Sequence, residues 1–169
     1  MKTWTQAELD ELIACPKQVV DPPRKTMRSE RGHQRNDATL SSLDGERRFS
    51  VFMRINEDFP ENFTVGLVYH PSDEPGELHL LRCNGPHGAY ANASLEDPPP
   101  HFNFHIHRAQ ADLINAGLQS LKFAASTDAY ASFREALQHF LKVVNIVDSE
   151  VHFPMVSQLP LFPDDGGQP

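Results

Sequence analysis

Three stretches of this chain alternate apolar and polar residues with a period of two, a pattern that only extended backbone in a half-buried sheet satisfies. Phe49, Val51, Met53 and Ile55 alternate with Arg48, Ser50 and Arg54, and Phe63, Val65, Leu67 and Tyr69 repeat the pattern. From His101 to His107 the alternation is strict: Phe102, Phe104 and Ile106 fall on one face, and His101, Asn103, His105 and His107 on the other. Asp44 and Gly45 offer a turn before the first stretch. The turn residues of 71–76 precede a further strand expected over Glu77 to Asn84.

Helical signals frame these strands. Thr5 and Glu8 form a capping box before Leu9, Leu12 and Ile13, and Pro16 ends the run. Ala109 to Gly117 suits a short helix closed by glycine, while Leu121 to Ala125 has strand character. Near the end, Tyr130, Phe133, Leu137, Phe140, Leu141 and Val144 recur at three and four residues, with Ser126 or Thr127 as the expected cap. The expected fold is α+β: an antiparallel sheet of about four to six strands packed by a C-terminal helix, with a short N-terminal helix. At 169 residues the chain fits a single domain over 1–153. The polar segment 16–45 shows neither period and reads as a basic arm or long loop. Residues 154–169 read as a mobile, Pro-rich acidic tail, too poor in apolar surface to offset its ordering entropy.

Charge and composition exclude several functional classes. A formal charge of −8 argues against a wholly basic nucleic-acid coat, yet Lys17 to Arg35 carries six basic residues against Asp21 and Glu30. Arg24, Lys25, Arg28, Arg31 and Arg35, with Arg54 on a strand, are the nucleic-acid-binding candidates. No apolar run approaches a membrane span and Met1 to Glu11 holds no signal-peptide core, so a cytoplasmic protein without a membrane partner is expected. Cys15 and Cys83 form no paired motif and read as buried free thiols.

The chemistry is expected where imidazoles gather. Imidazole both gives and takes protons near neutrality, so two on one strand face can act as base and acid across a phosphodiester. His105 and His107 share such a face with His101. His87 in the preceding loop and Arg82 at a strand end, suited to a phosphate contact, complete the catalytic candidates. The expected cofactor set is none, with a divalent metal at His87, His105 and His107 as the alternative. His33, His70, His79, His139 and His152 show no comparable grouping.

The order Arg82, Asn84, Pro86, His87, then Pro100, His101, His105 and His107, resembles small bacterial TumE-type toxins of toxin–antitoxin loci and an uncharacterised family beside them. The resemblance spans about Arg47 to Arg108, and the closing helix through Asn145 and Ile146 resembles the uncharacterised relatives. It implies an RNA-directed toxic activity and a cognate antitoxin as partner. The function expected from residues and resemblance together is a metal-independent endoribonuclease. The alternatives are a non-catalytic interaction protein of a defence or regulatory locus, and a metal-dependent hydrolase.

Overall fold

A computed structural model describes residues 2–87 and 100–153. Its centre is one antiparallel sheet of eight strands: β1 (Lys17–Asp21), β2 (Arg28–Glu30), β3 (His33–Ser42), β4 (Arg48–Asn56), β5 (Phe63–His70), β6 (Leu78–Asn84), β7 (His105–Arg108) and β8 (Ala124–Ser126). From β3 to β8 each strand pairs with the next in sequence, while β1 and β2 both pair with β3. The helices are α1 (Gln6–Ala14), α2 (Ala111–Asn115), α3 (Phe133–Val143) and α4 (Ser149–His152). None is long and apolar enough to cross a membrane.

The α+β class, the antiparallel sheet and the two framing helices are as the sequence predicts; the strand count is larger, because segment 16–45 is not a loop. It supplies β1, β2 and β3, and β3 pairs with β4 from His33↔Asn56 to Ser41↔Arg48. Its inward positions are Asn36, Ala38, Leu40 and Ser42, all buried, so at three of the four a small or polar side chain fills a place where strands usually show a large apolar one. Asn36 survives burial because its amide donates to the Arg24 carbonyl and its Oδ1 accepts from the Arg24 N–H. The expected tail, 154–169, lies outside the described residues.

The apolar face of the sheet carries Phe49, Val51, Met53, Phe63, Val65, Leu67, Leu81 and Cys83, which join Leu9 and Ile13 of α1 and Leu137 and Phe140 of α3 in one core. Helix α1 has the capping box read from sequence, with Thr5 and Glu8 exchanging bonds. Helix α3 begins later than expected. Ser132 caps it by accepting from the Glu135 N–H, leaving Ser126 in β8 and Tyr130 ahead of the helix. Leu121 to Phe123 likewise precede β8.

Two further residues join the ends of the fold. Lys17 is fully buried, and its ammonium donates to the carbonyls of Ile13, Cys15 and Val144, at the C-terminal ends of α1 and α3. Burial pushes it down to about 8. The Tyr130 hydroxyl accepts from the Asn84 N–H at 3.0 Å and donates to the His105 carbonyl at 2.7 Å, bridging the paired ends of β6 and β7. Of the two expected buried thiols, Cys83 is buried and Cys15 is half-buried; both are free.

Candidate active site

The cross-strand register sets which side chains share the face opposite the helices, because residues directly opposed in an antiparallel ladder project to the same side. One row runs Arg28, Arg35, Arg54, Thr64, Asn84, His105, each paired with the next. Two residues along on every strand after β2, a second row runs Asp37, Phe52, Gly66, Arg82, His107. At about 4.8 Å per strand the first row spans about 24 Å. Three arginines therefore lie side by side at one end and two histidines at the other.

Adjacent like charges cost stability unless something neutralises them. Arg28 pairs with Glu30 at 2.8 Å and Arg54 with Asp37 at 3.1 Å. Among the described residues the buried Arg35 Nε has no hydrogen-bond acceptor. Arg35 and Arg54 line a cleft of about 200 Å3 with His33, Asn62 and Thr64. In the next row the Phe52 ring lies over Gly66, where a Cβ would collide with it. The guanidinium groups of Arg54 and Arg82 stand 5.5 and 5.7 Å from that ring, and His79 meets it edge-on at 6.0 Å.

The histidine end differs from the expected strand. Only His105 to Arg108 is extended; Pro100–Phe102 forms a short 3-10 turn, whose proline has no N–H to give a ladder. His101 therefore joins His105 and His107 from a turn folded over the strand. His87 joins too, since its N–H donates to the His101 carbonyl at 2.9 Å and ties the two Pro-His segments together. Gly85 permits this, because a Cβ there would meet the Glu61 carbonyl oxygen. The four rings interlock: His87, His101 and His105 lie 4.9 to 5.1 Å apart, and His107 is 5.1 Å from His105 and 5.5 Å from His101.

His105 is 0 % exposed and His107 8 %, so the histidine face is covered rather than solvated; His87 and His101 are half-buried and form its outer side. The His105 Nδ1 lies 2.8 Å from the Asn103 carbonyl and the His107 Nδ1 3.0 Å from the Phe123 carbonyl. A carbonyl only accepts, so each Nδ1 carries the proton and each Nε2 keeps its lone pair. Burial is the main cause pushing both imidazoles down to about 4, with neighbouring imidazoles adding to it for each and Arg82 for His107. Both are neutral at physiological pH. The His105 Nε2 lies 3.2 Å from that of His87, and ligand atoms of His87, His101 and His105 all fall within 4.8 Å of one another. The expected metal trio included His107 where the geometry groups His101.

The structure thus gathers His87, His101, His105 and His107, and sets Arg82 opposite His107. Of the basic candidates, Arg28, Arg35 and Arg54 share the row, Arg31 sits in the β2–β3 turn, and Arg24 and Lys25 lie exposed in the β1–β2 loop. Phe52 and Tyr130 carry parts of the site that the sequence did not single out, while Asn84 stands in the motif order read from it. Of Phe52 and Tyr130, only Phe52 left a signal, an aromatic between Ser50 and Arg54 on the otherwise polar face of its strand. A larger cleft, about 460 Å3 beside Trp4, Leu78 and Ile114, holds no histidine or cysteine. No protein-family model, curated protein or solved structure matches this chain.

Proposed function

We propose that this protein cleaves single-stranded RNA, binding it along the helix-free face of the sheet and breaking a phosphodiester at the histidine cluster. The observation that carries the reading is the continuous row from Arg28, Arg35 and Arg54 to His105. A polyanion neutralises three neighbouring arginines whose acidic partners among the described residues are Glu30 and Asp37. Phe52, whose ring lies over Gly66 and is flanked by guanidinium groups, supplies a stacking surface for a base.

In this reading the His107 Nε2 takes the proton of the 2′-hydroxyl, which attacks phosphorus and displaces the 5′-oxygen of the next nucleotide as a cyclic phosphate forms. Arg82, the cross-strand neighbour of His107, steadies the phosphoryl oxygens. The departing 5′-oxygen emerges on the outer side of the cluster, beside the half-buried His87 and His101, and picks up a proton from water. A cognate antitoxin would act by covering the same arginine row.

The test is cleavage of labelled RNA by a nuclease-free preparation. His107→Gln should lower kcat by about 10² to 10⁴-fold. Arg35→Gln with Arg54→Gln should raise KM and flatten the salt dependence of binding by about 1.4 log units per log unit of salt, from about 0.7 for each lost phosphate contact. A single 2′-deoxy substitution at the cut site should stop the reaction. Undiminished cleavage by His107→Gln, or none by the parent protein, refutes the proposal.

A further inference from the structure

Three imidazoles bring their ligand atoms within 4.8 Å of one another, a grouping that fits an ion accepting nitrogen lone pairs. The His105 ring is fixed for this: its Nδ1–H is held by the Asn103 carbonyl, so its Nε2 lone pair points to His87. An outer hydrogen bond of this type sets the tautomer of metal-ligating histidines. The spacing agrees as well. Nitrogens bound at about 2.0 to 2.1 Å in a tetrahedron stand about 3.3 Å apart, and the His87 and His105 Nε2 atoms are 3.2 Å apart. One proton would satisfy that single contact, but it would not bring a third ligand atom, from His101, within 4.8 Å of both.

The backbone holds the three donors together before any ion arrives. His105 lies on β7, anchored by Tyr130 through its carbonyl, and His87 and His101 are clasped by the His87 N–H to His101 carbonyl bond. We infer that His87, His101 and His105 bind one borderline transition-metal ion of the Zn2+ class, leaving a fourth position open toward the half-buried side of the cluster. All-imidazole donors suit Zn2+, Co2+, Ni2+ or Cu2+ and are poor partners for Mg2+ or Ca2+, which prefer oxygen. Three protein ligands are what catalytic zinc centres use; closed structural sites use four. His107 stays outside the set, with its Nδ1–H on Phe123 and Arg82 opposite it. The inference deepens the ribonuclease reading by naming what stabilises the leaving oxygen, but metal binding is measured without RNA.

The experiment uses the full chain, stripped with a chelator and titrated with Zn2+ against a chromogenic competitor, then with Co2+ read by its visible absorption. The parent protein and His107→Gln should each bind one tight equivalent and give the intense bands of four-coordinate Co2+. His101→Gln and His105→Gln should weaken binding by at least about 100-fold, as loss of one of three ligands requires. Because His105 is buried, His101→Gln on the surface turn carries the test alone if His105→Gln fails to fold. Parent affinity no better than that of the His87→Gln, His101→Gln, His105→Gln triple variant overturns the inference. So does an equal loss in His107→Gln, which would mean a closed four-histidine site. RNA cleavage that persists in metal-free protein overturns the metal's part in stabilising the leaving oxygen while sparing the ribonuclease reading, and metal binding without cleavage overturns the ribonuclease reading while sparing the metal site.

Discussion

Tyr130→Phe isolates one hydroxyl on which both the sheet and the site depend. The hydroxyl accepts from the Asn84 N–H and donates to the His105 carbonyl, and both residues are buried at the paired ends of β6 and β7. Phenylalanine keeps the ring and its contacts with Phe63 and Phe104, so little apolar packing is lost. What changes is the pairing of two buried backbone groups. An orphaned buried donor or acceptor costs about 1 to 3 kcal/mol; the carbonyl, with two lone pairs, falls at the low end. The expected loss is about 2 to 4 kcal/mol, a large share of a typical total of about 5 to 15 kcal/mol. With a urea slope near 2 kcal/mol per molar, the midpoint should fall by about 1 to 2 M at unchanged slope. Amide exchange should quicken first at β7. A loss under about 0.5 kcal/mol would show that the hydroxyl is not what joins the two strands.

Lys17 gives a pH signature with a definite sign. Its folded value of about 8 lies below the ordinary 10.5, so between these values the unfolded chain holds more protons and stability rises with pH. The rise is at most about 3 kcal/mol, at 1.36 kcal/mol per unit. Cys83, pushed up by burial to about 12, acts in the opposite sense but equally in parent and variant. The stability of the parent minus that of Lys17→Met, from urea unfolding at pH 7.5 to 10.5, should therefore climb; a flat difference refutes the assignment. Gly85→Ala should displace the loop that carries His87, because its Cβ would meet the Glu61 carbonyl oxygen. Stability should drop by about 1 to 3 kcal/mol, and the His87 imidazole resonances should shift; unchanged spectra would mean that the loop accommodates the methyl.

Local sequence settled the elements whose reasons are local. The alternations of β4 and β5 depend on each strand's own inward side chains, and the α1 capping box closes within four residues. The polarity of His105 and His107 against Ile106 was legible for the same reason. The first three strands were not, because β3 buries Asn36, Ala38 and Ser42 in place of large apolar residues and is held by its ladder to β4. The start of α3 was misplaced because Tyr130 sits at helical spacing from Phe133 and Leu137, yet its hydroxyl serves the ends of β6 and β7.

The sequence by itself determined an antiparallel α+β sheet and put imidazoles on one side of an extended segment. Only the tertiary structure decided that His87 and His101 fold onto His105, and that Arg28, Arg35 and Arg54 line up with it. Both depend on cross-strand register and on one backbone hydrogen bond between residues 87 and 101, and pairings between residues so far apart leave no periodic trace in the chain.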